Sequence, residues 1–318
     1  MSEPASEEAV IETPDGRHRR RHALLRPGTA IPFLLVALIW GSTWFAIKDQ
    51  LAAAPISWSV AYRFGIAAIA MALVAWRMDG SLAMDRSGHA IALVLGLTQF
   101  AGNFNFVYRA EAHITSGVVA VMFGLLMVPN SILGRIILGV KVSGRFIVGT
   151  LVAVAGVALL LIHEARLMPA GSSLALGALL TGCGLLCASS ANVLQATKQA
   201  QAQKLLTLLA WAMGYGALID GGVALFVSGP PVFPADFRYW TGVIYLALIG
   251  SVVTFPLYFR LIRDLGPGRA AYNGVLVPVI AMLISTLLEG YRWSPLAVGG
   301  VALALAGMVV VLRGRQID

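Results

Sequence analysis

The amino-acid sequence predicts an all-α integral membrane protein with ten transmembrane helices, arranged as two inverted five-helix repeats. Three features support this prediction: an apolar composition, ten long apolar segments and a one-sided distribution of basic residues. Of the 318 residues, 58% are hydrophobic and 12% are charged, and the mean hydropathy is +0.81. Soluble domains carry about 25% charged residues, so this composition excludes a soluble enzyme and a soluble nucleic-acid-binding domain.

The apolar segments have the length that a membrane-spanning helix needs. Crossing a bilayer takes about 20 residues at about 1.5 Å per residue. Backbone polar groups in lipid must be hydrogen-bonded within the segment, which favours helices over isolated strands. In chain order the predicted helices are residues 31–47, 56–76, 89–107, 115–135, 144–162, 174–194, 205–227, 239–260, 268–288 and 295–312.

The predicted helices divide the chain into two repeats with a polar tail at each end. Residues 1–30 end in a basic run, and no short apolar core with a cleavage site follows, which distinguishes this tail from a signal peptide. We predict that the tail is disordered and cytoplasmic. The first repeat covers residues 31–162, the second covers residues 174–312, and residues 313–318 form a cytoplasmic C-terminal tail.

Lysine and arginine residues lie mainly on one side of the predicted membrane segments. With a cytoplasmic N-terminus, seventeen of the 23 fall inside, five fall outside and Arg63 lies within a helix. Cytoplasmic loops of membrane proteins carry such an excess. The distribution predicts a protein of the plasma membrane or bacterial inner membrane with both termini in the cytoplasm. It also explains the net charge of +8 by contact with a lipid bilayer, without a nucleic-acid partner.

The two halves of the chain resemble each other at a fixed offset. A shift of 151 residues places Arg109 on Arg260 and Gly149 on Gly300. Because each half has five predicted helices, equivalent positions lie on opposite sides of the membrane, and the repeats are inverted. Inverted repeats are typical of secondary transporters, although some channels share this symmetry.

Several motifs resemble those of a known family. Residues 37–44 read ALIWGSTW, Tyr62, Arg63 and Phe64 lie early in the second helix, and residues 276–300 include LVP and LEGYR. These motifs resemble the ten-helix EamA branch of the drug/metabolite transporter superfamily, and the resemblance covers essentially the whole membrane part. It implies a secondary transporter that exports a small amphiphilic metabolite, such as an amino acid, or a toxic compound, by alternating access and without a cofactor.

The chain departs from the family pattern in two places. Val140 and Tyr291 stand where many members carry an acid directly after a glycine, and Glu289 lies two residues earlier. The small four-helix members use a first-helix glutamate for proton coupling, and no acid occurs in residues 31–47. The resemblance therefore does not support that proton mechanism here.

Prolines interrupt helices at matching places of the two halves. Pro129 lies in the fourth predicted helix and Pro278 in the ninth, and such interruptions indicate a transporter's binding site. Polar and aromatic side chains at helical spacing extend this predicted cavity over helices 1, 3, 4, 6, 8 and 9, although inward-facing polar residues also form helix-to-helix hydrogen bonds. This lining favours a neutral or zwitterionic small-molecule substrate. The predicted cavity residues are Trp40, Trp44, Gln99, Asn103, Phe123, Met127, Asn130, Ser189, Asn192, Thr254, Tyr258 and Pro278.

Two charged residues lie within predicted membrane segments. Arg63 and Asp220 each sit about 10 Å inside the outer end of their helices. A charge in a membrane is costly unless it is paired or hydrated. We hypothesise that the two residues pair with each other, or that each contacts an amphiphilic substrate. Snorkelling of the Arg63 side chain to the outer interface is the structural alternative.

Glycines recur at seven-residue spacing on the fifth and tenth predicted helices, at Gly149, Gly156, Gly300 and Gly307. Small residues on one face let helix backbones approach closely. These two helices are therefore predicted to be scaffold without substrate contacts, and a homodimer surface is the alternative use of this face.

Other functional classes find less support in the residues. An intramembrane enzyme needs a nucleophile with a base, paired acids or a metal cluster at membrane depth. The sequence shows none of these, so we expect no catalytic site, metal or cofactor. A nucleotide-sugar or sugar-phosphate exchanger needs several basic residues in its cavity, and Arg63 is the one candidate. Import is left open, because symmetric halves can work in either direction.

Overall fold

The chain is a bundle of helices. Its structure, a computed structural model, describes residues 27–139, 143–167, 173–265 and 273–314, and these ranges contain helices and turns but no β-strand. A short helical turn, Lys198–Gln201, joins the sixth and seventh long helices. The long helices are α1 Pro27–Gln50, α2 Ile56–Asp79, α3 Arg86–Glu111, α4 Ser116–Leu138, α5 Gly144–Leu167, α6 Leu174–Gln195, α7 Leu205–Ser228, α8 Phe237–Leu265, α9 Asn273–Leu288 and α10 Pro295–Gly314.

Eight of the described helices, α1 to α8, are long and apolar enough to cross a membrane. The remaining two contain shorter apolar stretches, Asn273–Leu288 and Pro295–Val311. The chain is therefore a multi-pass membrane protein, and the all-α class predicted from the sequence is confirmed. The number of spans stays a prediction.

Some helix ends differ from the predicted ones. Helix α1 begins at Pro27, because proline is favoured in the first turn of a helix, so residues 27–30 are helical and do not belong to a disordered tail. Helix α10 continues to Gly314, two residues into the predicted C-terminal tail. Residues 1–26 and 315–318, which hold most of both predicted tails, lie outside the described residues.

Two helices contain π-helical segments at matching places. The segments are Gly96–Gly102 in α3 and Leu248–Val253 in α8. An offset of 151 residues carries the first onto 247–253, within one residue of the second. A π-helical turn holds an extra residue, so it rotates the helix beyond it and changes which side chains face inward. Helix α4 has a different interruption, the 3-10 turn Gly124–Leu126.

Two hydrophobic cores fill the bundle. One consists largely of buried side chains from α2, α3, α7 and α8, and the other largely of side chains from α4, α5, α9 and α10. Each core thus combines helices from both halves of the sequence. Trp44 of α1 and Phe123 of α4 pack against both cores, so the boundary between the cores passes beside these two rings.

Helices α5 and α10 pack backbone to backbone. A Cβ atom added to Gly156 would lie 2.3 Å from the amide nitrogen of Ala304, and one added to Gly307 would lie 2.3 Å from the amide nitrogen of Ala153. Only glycine fits at such a distance. The glycine faces of α5 and α10 pack against each other within one chain, so a homodimer would have to use another surface.

We expect Gly300→Leu to destabilise the protein and Gly299→Leu to leave its stability nearly unchanged. A Cβ on Gly300 would lie 2.9 Å from the carbonyl oxygen of Gly156, whereas a Cβ on Gly299 meets no atom within 4 Å. Overpacking of this kind costs about 1–3 kcal/mol. The melting temperature of the detergent-solubilised variants measures the effect, and equal melting temperatures would show that the two helices are not held this closely.

Candidate substrate cavity

A cavity of about 150 Å³ lies between the helices where the two cores meet. Its walls come from α1, α3, α4, α6, α8 and α9, with one side chain, Arg63, from α2. An apolar protein cavity of this size holds a ligand as large as benzene. The cavity therefore has room for the apolar part of a small molecule.

Ten of the twelve predicted cavity residues line the cavity together with Arg63, one of the two intramembrane charges, whereas Ser189, Thr254 and the other charge, Asp220, do not. Ser189 is fully buried within α6, Thr254 bonds to its own helix, and Asp220 on α7 bonds to a side chain of α3. Those that line the cavity are Trp40, Trp44, Arg63, Gln99, Asn103, Phe123, Met127, Asn130, Asn192, Tyr258 and Pro278.

The π-helical turn of α8 explains why Thr254 is displaced. Its Oγ1 donates a hydrogen bond to the carbonyl oxygen of Ile249, five residues back, at 2.6 Å. Beyond this turn the cavity face of α8 carries Phe255, Tyr258 and Phe259. Spacing in the sequence assumes an unbroken α-helix, so it selects Thr254 and misses both phenylalanines.

Two further lining residues, Phe104 and Asn273, were also missed. Phe104 follows the π-helical segment of α3, and this segment rotates the rest of the helix. Helical spacing counted from residues before the segment therefore does not predict which way the Phe104 side chain points. Asn273 lies four residues before Val277, which also lines the cavity. Its polar amide within the largely apolar ninth predicted helix was the signal that could have identified Asn273.

Aromatic rings form the walls of the cavity. Trp40 lies against Tyr258, with ring centroids 4.7 Å apart, and its Nε1 donates to the carbonyl oxygen of Gly250 at 3.3 Å. Trp44 lies against Phe123 at 5.2 Å. These contacts join α1 to the π-helical segment of α8 on one side and to α4 on the other.

Several polar atoms in the cavity wall are buried without a hydrogen-bond partner among the described residues. They are Nε1 of Trp44, Nη1 of Arg63, Oδ1 of Asn103 and both side-chain polar atoms of Asn273. Asn130 and Asn192 contact each other at 3.5 Å, the limit of a hydrogen bond. An unsatisfied buried polar group costs about 1–3 kcal/mol, so these atoms favour a ligand or water that completes their hydrogen bonds.

The guanidinium of Arg63 is held inside the bundle. The residue is 1% exposed, and its Nε and Nη2 donate to Oγ of Ser251 at 3.4 and 3.3 Å. The guanidinium carbon lies 4.3 Å from the ring centroid of Phe104 and 5.0 Å from that of Phe64. Because the whole side chain is enclosed, the alternative that Arg63 snorkels to the outer interface is wrong.

Asp220 has a different set of partners, so the hypothesised pair with Arg63 is wrong. Asn105 Nδ2 donates to Asp220 Oδ1 at 2.5 Å, and Asn105 Oδ1 accepts from Ser57 Oγ at 2.9 Å. Arg109 Nη2 donates to the same Ser57 Oγ at 3.0 Å. Hydrogen bonds thus connect the buried carboxylate of Asp220 to the guanidinium of Arg109 through two neutral side chains.

We expect Asn105→Leu to lower the melting temperature, because it leaves the Asp220 carboxylate buried without a partner, at a cost of about 1–3 kcal/mol. Adding Asp220→Leu removes the stranded carboxylate, so the double variant melts higher than the single one. A single variant as stable as the parent would mean that Asn105 does not support Asp220.

Polar contacts close the end of the bundle where α1, α3 and α9 end and α4 begins. Lys48 Nζ donates to the carbonyl oxygen of Glu111 at 2.5 Å. The carboxylate of Glu289 accepts hydrogen bonds from Ser116 and, at 2.9 Å, from Ser285. Glu111 is fully buried. Sequence reasoning missed it, because the predicted helix ends at residue 107 and α3 continues to Glu111.

Helix α4 changes neighbours along its length. At the closed end it packs on α9, and a Cβ added to Gly117 would lie 2.7 Å from Sδ of Met282. Beyond the 3-10 turn it packs on α6, where Asn130 meets Asn192. The contact between α4 and α9 therefore bounds the cavity at the closed end.

The helices and the cavity agree with a comparison of the sequence with known families. The model of the EamA-like transporter family matches residues 29–162 and 175–313, which together include almost all of the described helices. The chain belongs to the EamA-like transporter family. The two matched segments correspond to the two halves of the sequence, so the family resemblance of the motifs is confirmed.

Individual EamA-like and structural relatives cover nearly the whole chain. Protein PagO of Salmonella typhimurium is 22% identical over 91% of this chain and 94% of its own. A probable terminal-alkyne amino-acid exporter of Streptantibioticus cattleyicolor is 23% identical over 88% of this chain and 92% of its own. A solved crystal structure with 17% identity superposes with a TM-score of 0.63, over 91% of this chain and 98% of its own. The fold is therefore shared along the full membrane part.

Proposed function

We propose that this EamA-like protein is a secondary-active exporter of small amphiphilic metabolites, amino acids or related compounds, or of drugs, in a bacterial inner membrane. One observation carries the proposal: the cavity lies between two cores, each of which combines helices from both sequence halves. Movement of one core against the other would open the cavity to alternate sides. The name of the Streptantibioticus relative supports both export and the amino-acid class.

The proposal includes ten spans in two inverted repeats, with both termini in the cytoplasm. The matching π-helical segments of α3 and α8 support the repeat. Helix α10 packs along α5, a helix long enough to span, which favours α10 as a span. The excess of Lys and Arg on one side supports the orientation.

In this orientation the end closed by Lys48, Glu111 and Glu289 faces outward. The conformer then has a closed outer side, and export requires the contact of α4 with α9 to open. Ser116 and Ser285 both hold the carboxylate of Glu289, so we assign these hydrogen bonds to the outer gate.

The lining disfavours the exchanger alternative. Among the described residues that line the cavity, Arg63 alone is basic, and a phosphate dianion needs several such groups. We infer a transporter and not an enzyme, since the relatives are named for transport and the cavity residues form no nucleophile–base arrangement. A measurement of the direction in which the substrate crosses the membrane distinguishes export from import.

Export is tested by profiling metabolites in the medium of cells that express the protein. We expect one chemical class to accumulate outside, and the Trp40→Ala, Asn130→Leu variant to lose about tenfold or more of this export, a change of about 1.4 kcal/mol. The loss follows because both side chains line the cavity.

The matched control is Leu38→Ala with Ile136→Leu, which changes two exposed residues of the same helices. At equal membrane levels it should export as the parent does. Identical media with and without the protein would contradict export. Full export by the Trp40→Ala, Asn130→Leu variant would still support transport, but it would show that the substrate binds at another site.

Weakening the outer gate should expose the cavity to the outside. Ser116→Ala with Ser285→Ala removes two hydrogen bonds to the carboxylate of Glu289, each worth about 1.5–3 kcal/mol. We expect the buried cavity residue Ala120, replaced by cysteine, to react at least tenfold faster with a membrane-impermeant thiol reagent added outside intact cells.

The labelling uses a background in which Cys183 and Cys187 are alanine, so that the introduced thiol is the only one. Ser190→Ala is the control, because its hydroxyl bonds only within its own helix, to the carbonyl oxygen of Leu186. Slower or unchanged labelling in the gate variant would exclude Glu289 as a gate residue.

A further inference from the structure

One charge in the cavity wall has no counter-charge in direct contact. Among the described lining residues, Arg63 alone carries a formal charge. Its Nε and Nη2 reach the hydroxyl of Ser251, while its Nη1 is buried and has no hydrogen-bond partner. The Ser251 hydroxyl donates its own proton to the carbonyl oxygen of Leu246 at 2.8 Å. It therefore presents lone pairs to Arg63 and fixes the direction of the guanidinium.

The nearby acids do not neutralise this charge. Asp220 bonds to Asn105. The carboxylate oxygens of Glu111 have no hydrogen-bond partner among the described residues, so Glu111 does not hydrogen-bond to Arg63. Tyr108 interacts with Arg63, and a neutral phenol supplies no charge. A buried charge is normally paired, since its desolvation is costly, so the site favours an anion supplied from outside the protein.

The surroundings of the guanidinium fit an organic anion with an apolar body. The ring of Phe104 covers one side of the guanidinium at 4.3 Å. Trp44 and Phe123 continue the wall as neighbouring rings tilted by 57° to each other, and Nε1 of Trp44 is a second buried donor without a partner. One guanidinium binds a carboxylate through two parallel hydrogen bonds, whereas a phosphate dianion calls for further cations.

We propose that Arg63 is the anion-binding residue of the cavity, and that the substrate carries a carboxylate on an apolar body about the size of a phenyl ring. This inference rests on the proposed transport function and names the substrate class. The carboxylate contacts Arg63, with Ser251 positioning the guanidinium, and the apolar body lies against Trp44 and Phe123. A zwitterion satisfies the same site, because Oδ1 of Asn103 is an unpartnered acceptor for an ammonium group.

The test compares three probes with one body and different head groups. They are 3-phenylpropionate, 3-phenylpropan-1-ol and 3-phenylpropylamine, added to the purified full-length protein in lipid nanodiscs. Binding is followed by thermal stabilisation and by tryptophan fluorescence, since Trp40 and Trp44 line the cavity. We expect the acid to bind at least tenfold more tightly than the alcohol, and the amine to bind most weakly.

Three variants assign the preference to a residue. In Arg63→Gln the preference for the acid disappears, and in Arg63→Lys a part of it remains, because the charge stays and the bidentate geometry is lost. Arg77→Gln, an exposed arginine of the same helix, keeps the preference in full. Ser251→Ala weakens binding of the acid and leaves binding of the alcohol unchanged.

The outcomes separate this inference from the proposed function. Equal binding of acid and amine by the parent protein overturns the inference even if Arg63→Gln fails to fold. A folded Arg63→Gln variant that still prefers the acid also overturns it. If cells export only compounds without an acid group, the transport function is supported and the role of Arg63 is refuted. If the protein binds acids selectively but exports nothing, the binding site is supported and the exporter function is refuted.

Discussion

The structure depends on how polar groups are satisfied inside a bundle that lipid surrounds. Without bulk water, each buried polar group needs a partner within the protein. At the closed end this requirement is met for Glu289, which accepts from two serines, and for Lys48, which reaches a backbone carbonyl, but both carboxylate oxygens of the buried Glu111 have no hydrogen-bond partner within the described part of the chain. In the cavity wall it is not met, and Arg63 and Asn273 keep unpartnered atoms. The chemistry of the cavity is therefore set by what the packing leaves unsatisfied.

Two helix pairs hold the halves of the chain together. Helix α5 packs closely on α10, and α2 packs closely on α7. In the proposed repeat the fifth helix corresponds to the tenth and the second to the seventh, so the repeat relates the members of each pair. These pairs lie in different cores. The remaining helices, α1, α3, α4, α6, α8 and α9, are left to surround the cavity, which is why they supply nearly all of its lining.

The sequence was sufficient for the membrane class, the positions of the helices and the helices that form the cavity. Hydropathy and helix length are local properties, and proline and polar spacing identified α4 and α9. The π-helical turns were not predictable, because they depend on packing between helices. At Gly96, for example, an added Cβ would lie 2.8 Å from the carbonyl oxygen of Ala212. This close contact belongs to the segment that rotates the cavity face of α3.

The partners of the buried charges could not be predicted from the sequence either. Asp220 and Asn105 are far apart in the chain, and only the fold brings α7 beside α3. Two intramembrane charges in one sequence suggest a pair. Here, however, the neutral side chain of Asn105 bonds to Oδ1 of Asp220, Oδ2 has no hydrogen-bond partner among the described residues, and the guanidinium of Arg63 lines the cavity instead. The expectation of a neutral or zwitterionic ligand rested on the aromatic and amide lining alone; once this charge is included, a zwitterion still fits the proposed site and a neutral ligand fits it less well.

The position of Arg63 affects selectivity as well as affinity. A cationic amphiphile with the same apolar body would bury a second positive charge beside the guanidinium, and rejection of wrong ligands commonly rests on such like-charge contacts. A neutral amphiphile with an oxygen atom can accept a hydrogen bond from Nη1, but it leaves the charge of the guanidinium uncompensated. Only a ligand with an anionic group both removes the unsatisfied donor and compensates the charge. The aromatic walls therefore determine the size of the ligand body, and the single arginine determines the sign of its head group.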